Sequence, residues 1–504
     1  MKPLFKKHPP EFNQHLLFPS NIFDLLDDDH DCYIYDEIFK SLDTTSIERQ
    51  YSIIGQHAYH PKLITSILIY AYSRGVFSSR EIEKRCNEDI SFMFIAQMGC
   101  PNFRVLSDFR KNHHEFFKEC FKQTVKMAIE LNLASLGHIS LDGSKFKANT
   151  SKHKAMSYKN LKKQEEELTK EIEALVKKAT SCDQEEDKEY FEKTGYEIPE
   201  DLKYKQSRLE KIQKAKKALE AREEALHPGE KIKDTKQISF ADEDARIMNG
   251  KGSFKYYYNP QISVDADNQI IVGEHISQNA NDKQELKPAL EELQQVTGTL
   301  PDKISMDNGY FSGDNLEILE ESTIDAYIAT DKNAKPRKEA LIDSTRIVHK
   351  SDFKYNEDDD TFLCPNGQIL PLIREDKNGK KIYQADAEKC KDCPYNEKRC
   401  SQSKKGEPRT VTSDCHEKQR QQMVIKMEQD KSKEIYHERK VIVEPVFGQI
   451  KNKGFLNFSV RGKDKVEGEF SLICTVHNMR KIVKAVIRGL VRPENGKMVI
   501  NTAI

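Results

Sequence analysis

The sequence predicts an α/β protein: a mixed sheet flanked by helices, interrupted by two insertions and preceded by an all-α segment. Three observations carry that prediction. Apolar spacing is helical up to about residue 133 and switches to a two-residue alternation in "GHISLDGSKFKAN" (Gly137 to Asn149). From there, short apolar runs alternate with capped helical stretches. Two stretches break that alternation, one long, charged and striped with leucine, the other loop-rich and cysteine-bearing.

Each element has its own warrant. "PKLITSILIYAYSRGV" carries apolar residues at helical spacing. "SSREIEKRC" opens with Ser78 and Ser79, good N-cap residues, and places Glu81 and Glu83 in the first turn. "NFRVLSDFRKNHHEFFKECF" continues the helical style, with Ser107 and Asp108 as the expected cap. Ile139 and Leu141 then alternate toward Asp142-Gly143, a strand running into a turn. Residues 155 to 228 hold two apolar stripes. Leu161, Leu168, Ile172 and Leu175 form the first, and Leu202, Leu209, Ile212, Leu219 and Leu226 the second. Pro199 separates them and Pro228 ends the second, so an antiparallel helical hairpin is expected. "KYYYNPQISVD" and "QIIVGEHIS" flank Ala266-Asp267-Asn268 as a strand hairpin. "DKQELKPALEELQQV" is a helix, "DKISMD" a short buried strand ending at Asp307, "SGDNLEILEES" a capped helix and "DAYIAT" a strand. The closing helices are "KSKEIYHERKVIVEPVFGQIKNKG" and "KVEGEFSLICTVHNMRKIVKAV".

With the insertions removed, the order from Gly137 is three strands, helix, strand, helix, strand, helix. That is an RNase H-like order, with an antiparallel meander first and helices covering the sheet afterwards. The expected boundaries are a helical N-terminal domain at 1–133, a catalytic domain at 134–490 and a C-terminal tail at 491–504. The helical hairpin is inserted at 155–228 and the cysteine-bearing module at 352–430.

Composition narrows the class. A chain of 504 residues exceeds one ordinary domain. Net charge is −1, but Lys431 to Lys465 is basic while Asp183 to Asp187 and Glu357 to Asp360 are acidic, so a polyanionic partner is compatible with the balance. No apolar run reaches bilayer length, and the first residues have no signal-peptide core. Eleven cysteines, an odd number in a long chain, oppose a secreted disulfide scaffold and point to a reducing cytoplasm.

Asp142 ends the first strand, Asp307 ends the fourth, and Glu444 lies on a late helix. In this order the first and fourth strands are neighbours, so three carboxylates converge. Alone they would repel and raise one another's pKa. A divalent cation removes that cost, and hard oxygen donors select Mg²⁺ or Mn²⁺ for in-line phosphoryl transfer. An aspartate at a strand end usually caps a turn, and each of the two by itself reads that way; the joint pattern carries the inference.

Four stretches, "SLDGSKFKANTSK", "FADEDARIM" with "YYYNPQISVD", "SMDNGYFSGDNLE" and "YHERKVIVEPVFGQIKNKGF", make the sequence resemble a bacterial insertion-sequence transposase of the DDE type. "YHPKLITSILIYAYSRGVFSSREIEKRC" through "SDFRKNH" resembles the helical N-terminal domain of one branch of these enzymes. The resemblance implies a triad of Asp142, Asp307 and Glu444 holding Mg²⁺ or Mn²⁺. It implies DNA as partner, both terminal inverted repeats and target, and a homodimer on paired ends in the bacterial cytoplasm, nucleoid-associated when bound. It also implies a Tyr-Arg-Glu-Lys signature. Tyr436 and Arg439 have two residues between them as that signature asks, and Lys451 follows Glu444 after six. Between Arg439 and Glu444 stand four residues instead of three, a spacing that Lys440 fits, so Arg439 and Lys440 compete for one DNA-binding role. Lys440, Glu444 and Lys451 would share a helix face, broken or restarted at Pro445. Relatives with this signature often use a DNA hairpin with a stacking tryptophan. This chain has no tryptophan, so another aromatic residue or histidine stacks there or the hairpin route is not used. The alternative reading is an inactive or domesticated DNA-binding protein that keeps the fold.

Cys364, Cys390, Cys393 and Cys400 lie between Asp307 and Glu444, and Cys390 and Cys393 form Cys-x-x-Cys. Four thiolates suit a closed structural Zn²⁺ site, with Cys415-His416 able to replace one ligand. A redox pair or plain thiols are the other readings.

Overall fold

The computed structural model describes residues 21–504 except 53–57, 152–154, 187–199, 251, 331–346, 378, 396–398, 402–406, 495 and 502–504; the side chains at 176–186, 200–202 and 351 also fall outside it. The first 20 residues of the expected N-terminal domain, the hairpin tip with Pro199, Leu202 as a stripe residue, and the end of the expected tail therefore lie outside the described residues.

Local sequence explains the N-terminal helices. Pro61 sits in the first turn of α1 (Pro61–Ser73), where a missing N–H costs nothing, and the His60 side chain caps it by accepting from Lys62 N. The helix at Phe103–Asn112 is capped by Asn102, which accepts from Arg104 N. It therefore runs straight through Ser107 and Asp108, and the cap expected there is not used. α2 (His114–Glu130) buries Phe116, Phe117, Phe121 and Val125.

Five strands position the site: β1 (His138–Gly143), β2 (Ser253–Asp265), β3 (Ile271–Ser277), β4 (Lys303–Met306) and β5 (Asp325–Ile328). Their order is β3–β2–β1–β4–β5, with short strands at Phe146–Lys147 and Arg246–Gly250 pairing the far half of β2. β1 is antiparallel to β2 and parallel to β4, and β4 is parallel to β5. This is a mixed sheet in a mixed α/β protein. The N-terminal helices and the sheet share one continuous apolar core.

The leucine-striped stretch forms α3 (Tyr158–Glu186) and α4 (Glu200–Leu226). They pack through Leu161, Leu168, Ile212 and Leu219, with Ile238 from the strand pair at their base. Leu226, expected on the stripe, is 57% exposed because it ends the helix beyond the paired segment. α5 (Leu286–Thr297) covers β3, and α6 (Gly313–Glu321) connects β4 to β5.

Within the stretch read as loop-rich, six short strands form two three-stranded sheets around a separate small core of Val348, Phe353, Phe362, Leu370, Tyr383, Tyr395 and Val411. The last part of that stretch is α7 (Glu417–Glu428), which packs on α6. Then come α8 (Asp430–Ile442), α9 (Glu444–Asn452) and α10 (Lys463–Ile487). α10 is buried along most of its length and packs against α2. Where a tail was expected, Val491–Glu494 and Lys497–Ile500 pair as a hairpin. Among the described residues no helix is long and apolar enough to cross a membrane.

Candidate active site

Parallel pairing of β1 and β4 matches Leu141 with Met306. The next residue on each strand is therefore delivered to the same sheet edge, and these residues are Asp142 and Asp307. Each carboxylate is steadied by its own turn: Asp142 Oδ1 accepts from Gly143 N at 2.9 Å and Asp307 Oδ1 from Gly309 N at 2.8 Å. Asp142 is largely enclosed, and burial pushes its carboxyl up to about 6. The Arg439 guanidinium opposes that shift and the Asp307 charge adds to it.

Glu444 reaches the same edge from the late helices. The expected break is present: α8 stops at Ile442, Val443 stands between, and α9 starts at Glu444 with Pro445 in its first turn. The β2–β3 turn holds this joint, since Gln269 Nε2 donates to the Val441 carbonyl and Gln449 Nε2 donates to Gln269 Oε1 at 3.3 Å. Two residues five apart lie about 140° apart around a continuous helix and cannot meet. Across the break they do. Arg439 Nη1 is 3.1 Å from Glu444 Oε1, and Arg439 Nη2 is 3.0 Å from Asp142 Oδ1. The extra residue in the spacing is absorbed by the restart.

This geometry separates the two competing basic residues. Arg439 is buried and joined to Asp142 and Glu444, whereas Lys440 is exposed, and the break at Val443 puts Lys440 on a different helix from Glu444 and Lys451. Lys451 bonds Ser144 Oγ, two residues beyond Asp142, and its ammonium lies 4.8 Å from the centre of the Phe146 ring. Tyr436, three residues before Arg439, is half-buried, and burial raises its phenol pKa.

The donor set of Asp142, Asp307 and Glu444 is all hard oxygen, and an enclosed carboxylate beside a second one suits a divalent cation. As the side chains stand, Glu444 is engaged by Arg439, and among the described residues no three His, Cys, Asp or Glu side chains gather closely enough to hold an ion. A triad-held cation therefore fits the donors and requires Glu444 to leave Arg439.

A family profile described as "Transposase DDE domain" matches residues 363–483, and one described as "Transposase domain (DUF772)" matches residues 20–112. These two matches support a DDE-type transposase of an insertion element. The first match spans the cysteine module and Glu444; neither reaches Asp142 or Asp307. No curated protein matches the chain.

Inside the first matched stretch, Cys364, Cys390, Cys393 and Cys400 line one small cavity of about 30 Å³. Cys364 Sγ accepts from Gln368 N at 3.2 Å. Burial pushes the Cys400 thiol up to about 11, and the other three sulfurs add to that shift. Four sulfurs suit Zn²⁺ by chemistry, although they too are not gathered at metal-holding spacing. Cys415 and His416 do not line the cavity; His416 lies against Gly313, 3.6 Å from Asp314.

Two features escaped the sequence reading. Asp282, between β3 and α5, brings a fourth carboxylate to the edge. Its signal was the pair of side-chain amides Asn259 and Gln261 in β2, which must have partners when buried. The other is a basic cleft of about 330 Å³ lined by Lys481 and Lys484 of α10 and by Arg488 just past its end, with Asp267 the one acid among its lining residues. Its signal was the helical spacing of those three cations.

Proposed function

We propose that the chain is an insertion-sequence transposase that binds the terminal repeats of its element, cuts the DNA there, and joins the freed end to target DNA. The observation that carries this reading is that Asp142 and Asp307 follow paired positions of neighbouring parallel strands, and Arg439, from the late helices, joins Asp142 to Glu444. The strand order, with β1 antiparallel to β2 and parallel to β4, supports an RNase H-like catalytic domain at 134–490. Residues 1–133 serve DNA binding in this reading, with 155–228 and 352–430 as insertions.

Asp142, Asp307 and Glu444 would hold Mg²⁺ or Mn²⁺, which would supply Lewis-acid chemistry at the phosphodiester. The residues of the chain do the rest. Water opens the phosphodiester at the element end to leave a 3′-OH and a 5′-phosphate, and that 3′-OH attacks a target phosphodiester and displaces the target strand's 3′-oxygen. Arg439 orients Asp142 and Glu444, and Lys451, with Tyr436, receives DNA phosphates beside the site. Lys440, on the exposed face of α8, contributes a peripheral phosphate contact. The cleft of Lys481, Lys484 and Arg488 supports a polyanionic partner, because three cations facing one acid favour one. Paired ends call for two copies of the chain, and the protein works in the bacterial cytoplasm on nucleoid DNA. The thiols of Cys364, Cys390, Cys393 and Cys400 hold a structural Zn²⁺.

A second reading, a DNA-binding copy that no longer cuts, is favoured by the engagement of Glu444 with Arg439. One assay separates the two. DNA flanking the reading frame is incubated with the protein with and without Mg²⁺. Cleavage at the element ends that needs Mg²⁺ and is lost in Asp142→Ala, with end binding retained, supports the enzyme. Binding with no cleavage by the wild-type chain supports the second reading.

A further inference from the structure

The loop between β3 and α5 lays the Asp282 carboxylate between the two turns that follow the site aspartates. A Cβ built on Gly143 would lie 2.9 Å from Asp282 Oδ1, and one built on Gly309 would lie 3.1 Å from Asp282 Oδ2. Glycine at both positions leaves room for the carboxylate to approach; any side chain there meets it. Gly143 directly follows Asp142 and Gly309 follows Asp307 by two, so the fourth acid sits against both turns at once.

Buried groups hold it there. Asn259 Nδ2 and Gln261 Nε2 each donate to Asp282 Oδ1 at 2.8 Å, and the Tyr310 hydroxyl donates to Gln261 Oε1. Asn259, Gln261 and Tyr310 are essentially inaccessible. Donation to Gln261 Oε1 fixes which end of that amide faces Asp282. Among the described residues Oδ2 receives no donor, so one carboxylate oxygen is fastened and the other is left beside Gly309, in the turn that follows Asp307. A carboxylate needed only to staple its loop would use both oxygens or sit away from two like charges, since such proximity is unfavourable without a cation.

We propose that Asp282 is a fourth carboxylate of the site, presented by Asn259, Gln261 and Tyr310, which strengthens the hold of the Asp142–Asp307 pair on a divalent cation. The proposal rests on the reading of that pair as a cation site. Asp282 is a positioning residue, acting through the pair.

The test is Mn²⁺ binding to the full chain, followed by electron paramagnetic resonance of the free ion, with melting temperature recorded for each variant. Asp282→Asn weakens Mn²⁺ binding by about tenfold, the usual scale for an outer partner of a metal site, and Asp282→Glu recovers most of it. End cleavage by Asp282→Asn falls at limiting Mn²⁺ and recovers at saturating Mn²⁺. Mn²⁺ affinity within twofold of wild type in a folded Asp282→Asn variant, while Asp142→Ala loses binding, overturns the role of Asp282 and leaves the pair intact. Unaltered Mn²⁺ binding in Asp142→Ala overturns the cation site itself. Should Asp282→Asn fail to fold, Tyr310→Phe decides: it keeps the ring and removes the hydroxyl that orients Gln261. An affinity loss of about threefold there supports the proposal, and wild-type affinity overturns it.

Discussion

The oxygen cluster at the sheet edge and the sulfur cluster in the inserted module are assembled in opposite ways. Asp142, Asp307 and Glu444 are each more than a hundred residues from the next and are drawn toward one edge only because β1 and β4 pair in parallel and a helix restarts at Glu444. Cys364, Cys390, Cys393 and Cys400 sit within one short stretch, on the turns and the short helix Ala387–Lys391 beside two small sheets with their own core. The first cluster depends on the packing of the main core, and the second on local turns. Damage to one should leave the other standing, and each prediction below breaks or sharpens that separation.

The largest effect falls on chemistry without stability. Asp142→Ala lowers end cleavage by about a thousandfold, the ~4 kcal/mol scale of Lewis-acid stabilisation, while near-wild-type melting persists. Next comes the sulfur cluster. Cys390→Ser with Cys393→Ser, or a strong chelator, removes one equivalent of Zn²⁺ and costs the module several kcal/mol. Limited proteolysis then cuts within 348–413 while the main core melts as before. Zinc content of zero in the wild-type chain would contradict this arm.

Arg439→Ala destabilises the main core by about 3 kcal/mol, because it leaves Asp142 enclosed without its counter-charge. Denaturant unfolding measures it, and the loss shrinks as pH falls and Asp142 takes up a proton. Deeper in the same core, Glu274 is fully enclosed, with Ser471 Oγ donating to Oε1 at 2.5 Å and Oε2 unpartnered. Burial pushes its carboxyl up to about 8. A raised folded pKa means stability is present at low pH and lost as pH rises through that value. Wild-type stability should fall by up to about 1.4 kcal/mol per pH unit between the ordinary carboxyl range and about 8 and level off above it, and Glu274→Gln should flatten that slope in melts from pH 5 to 9. The smallest effect belongs to Lys440→Ala, within about 0.5 kcal/mol of wild-type stability, since the side chain is exposed.

The two clusters also differ in how far the sequence revealed them. The cysteines announce themselves by spacing, and Asp142 and Asp307 by their places after short apolar runs. Glu444 was legible through the proline beside it. The choice between Arg439 and Lys440 was not, because it turns on the phase change across a helix break, which residue counting along one helix cannot express. Asp282 lies in "QNANDKQEL", a polar loop with no local feature to set it apart; only the buried Asn259 and Gln261 point to it. The strands around the cysteines are two to four residues long, too short for alternation to register. The hairpin at 491–500 is hidden for the same reason.

The central claim is that the three acids form one cation-dependent centre once Glu444 is released from Arg439. A crystal structure with Mn²⁺ and element-end DNA, read by anomalous scattering, tests it most directly. The account predicts manganese at roughly 2.1 Å from oxygens of Asp142 and Asp307, with Glu444 turned from Arg439 toward the ion. Manganese absent from that edge, with Arg439 still joining Asp142 to Glu444, would contradict it.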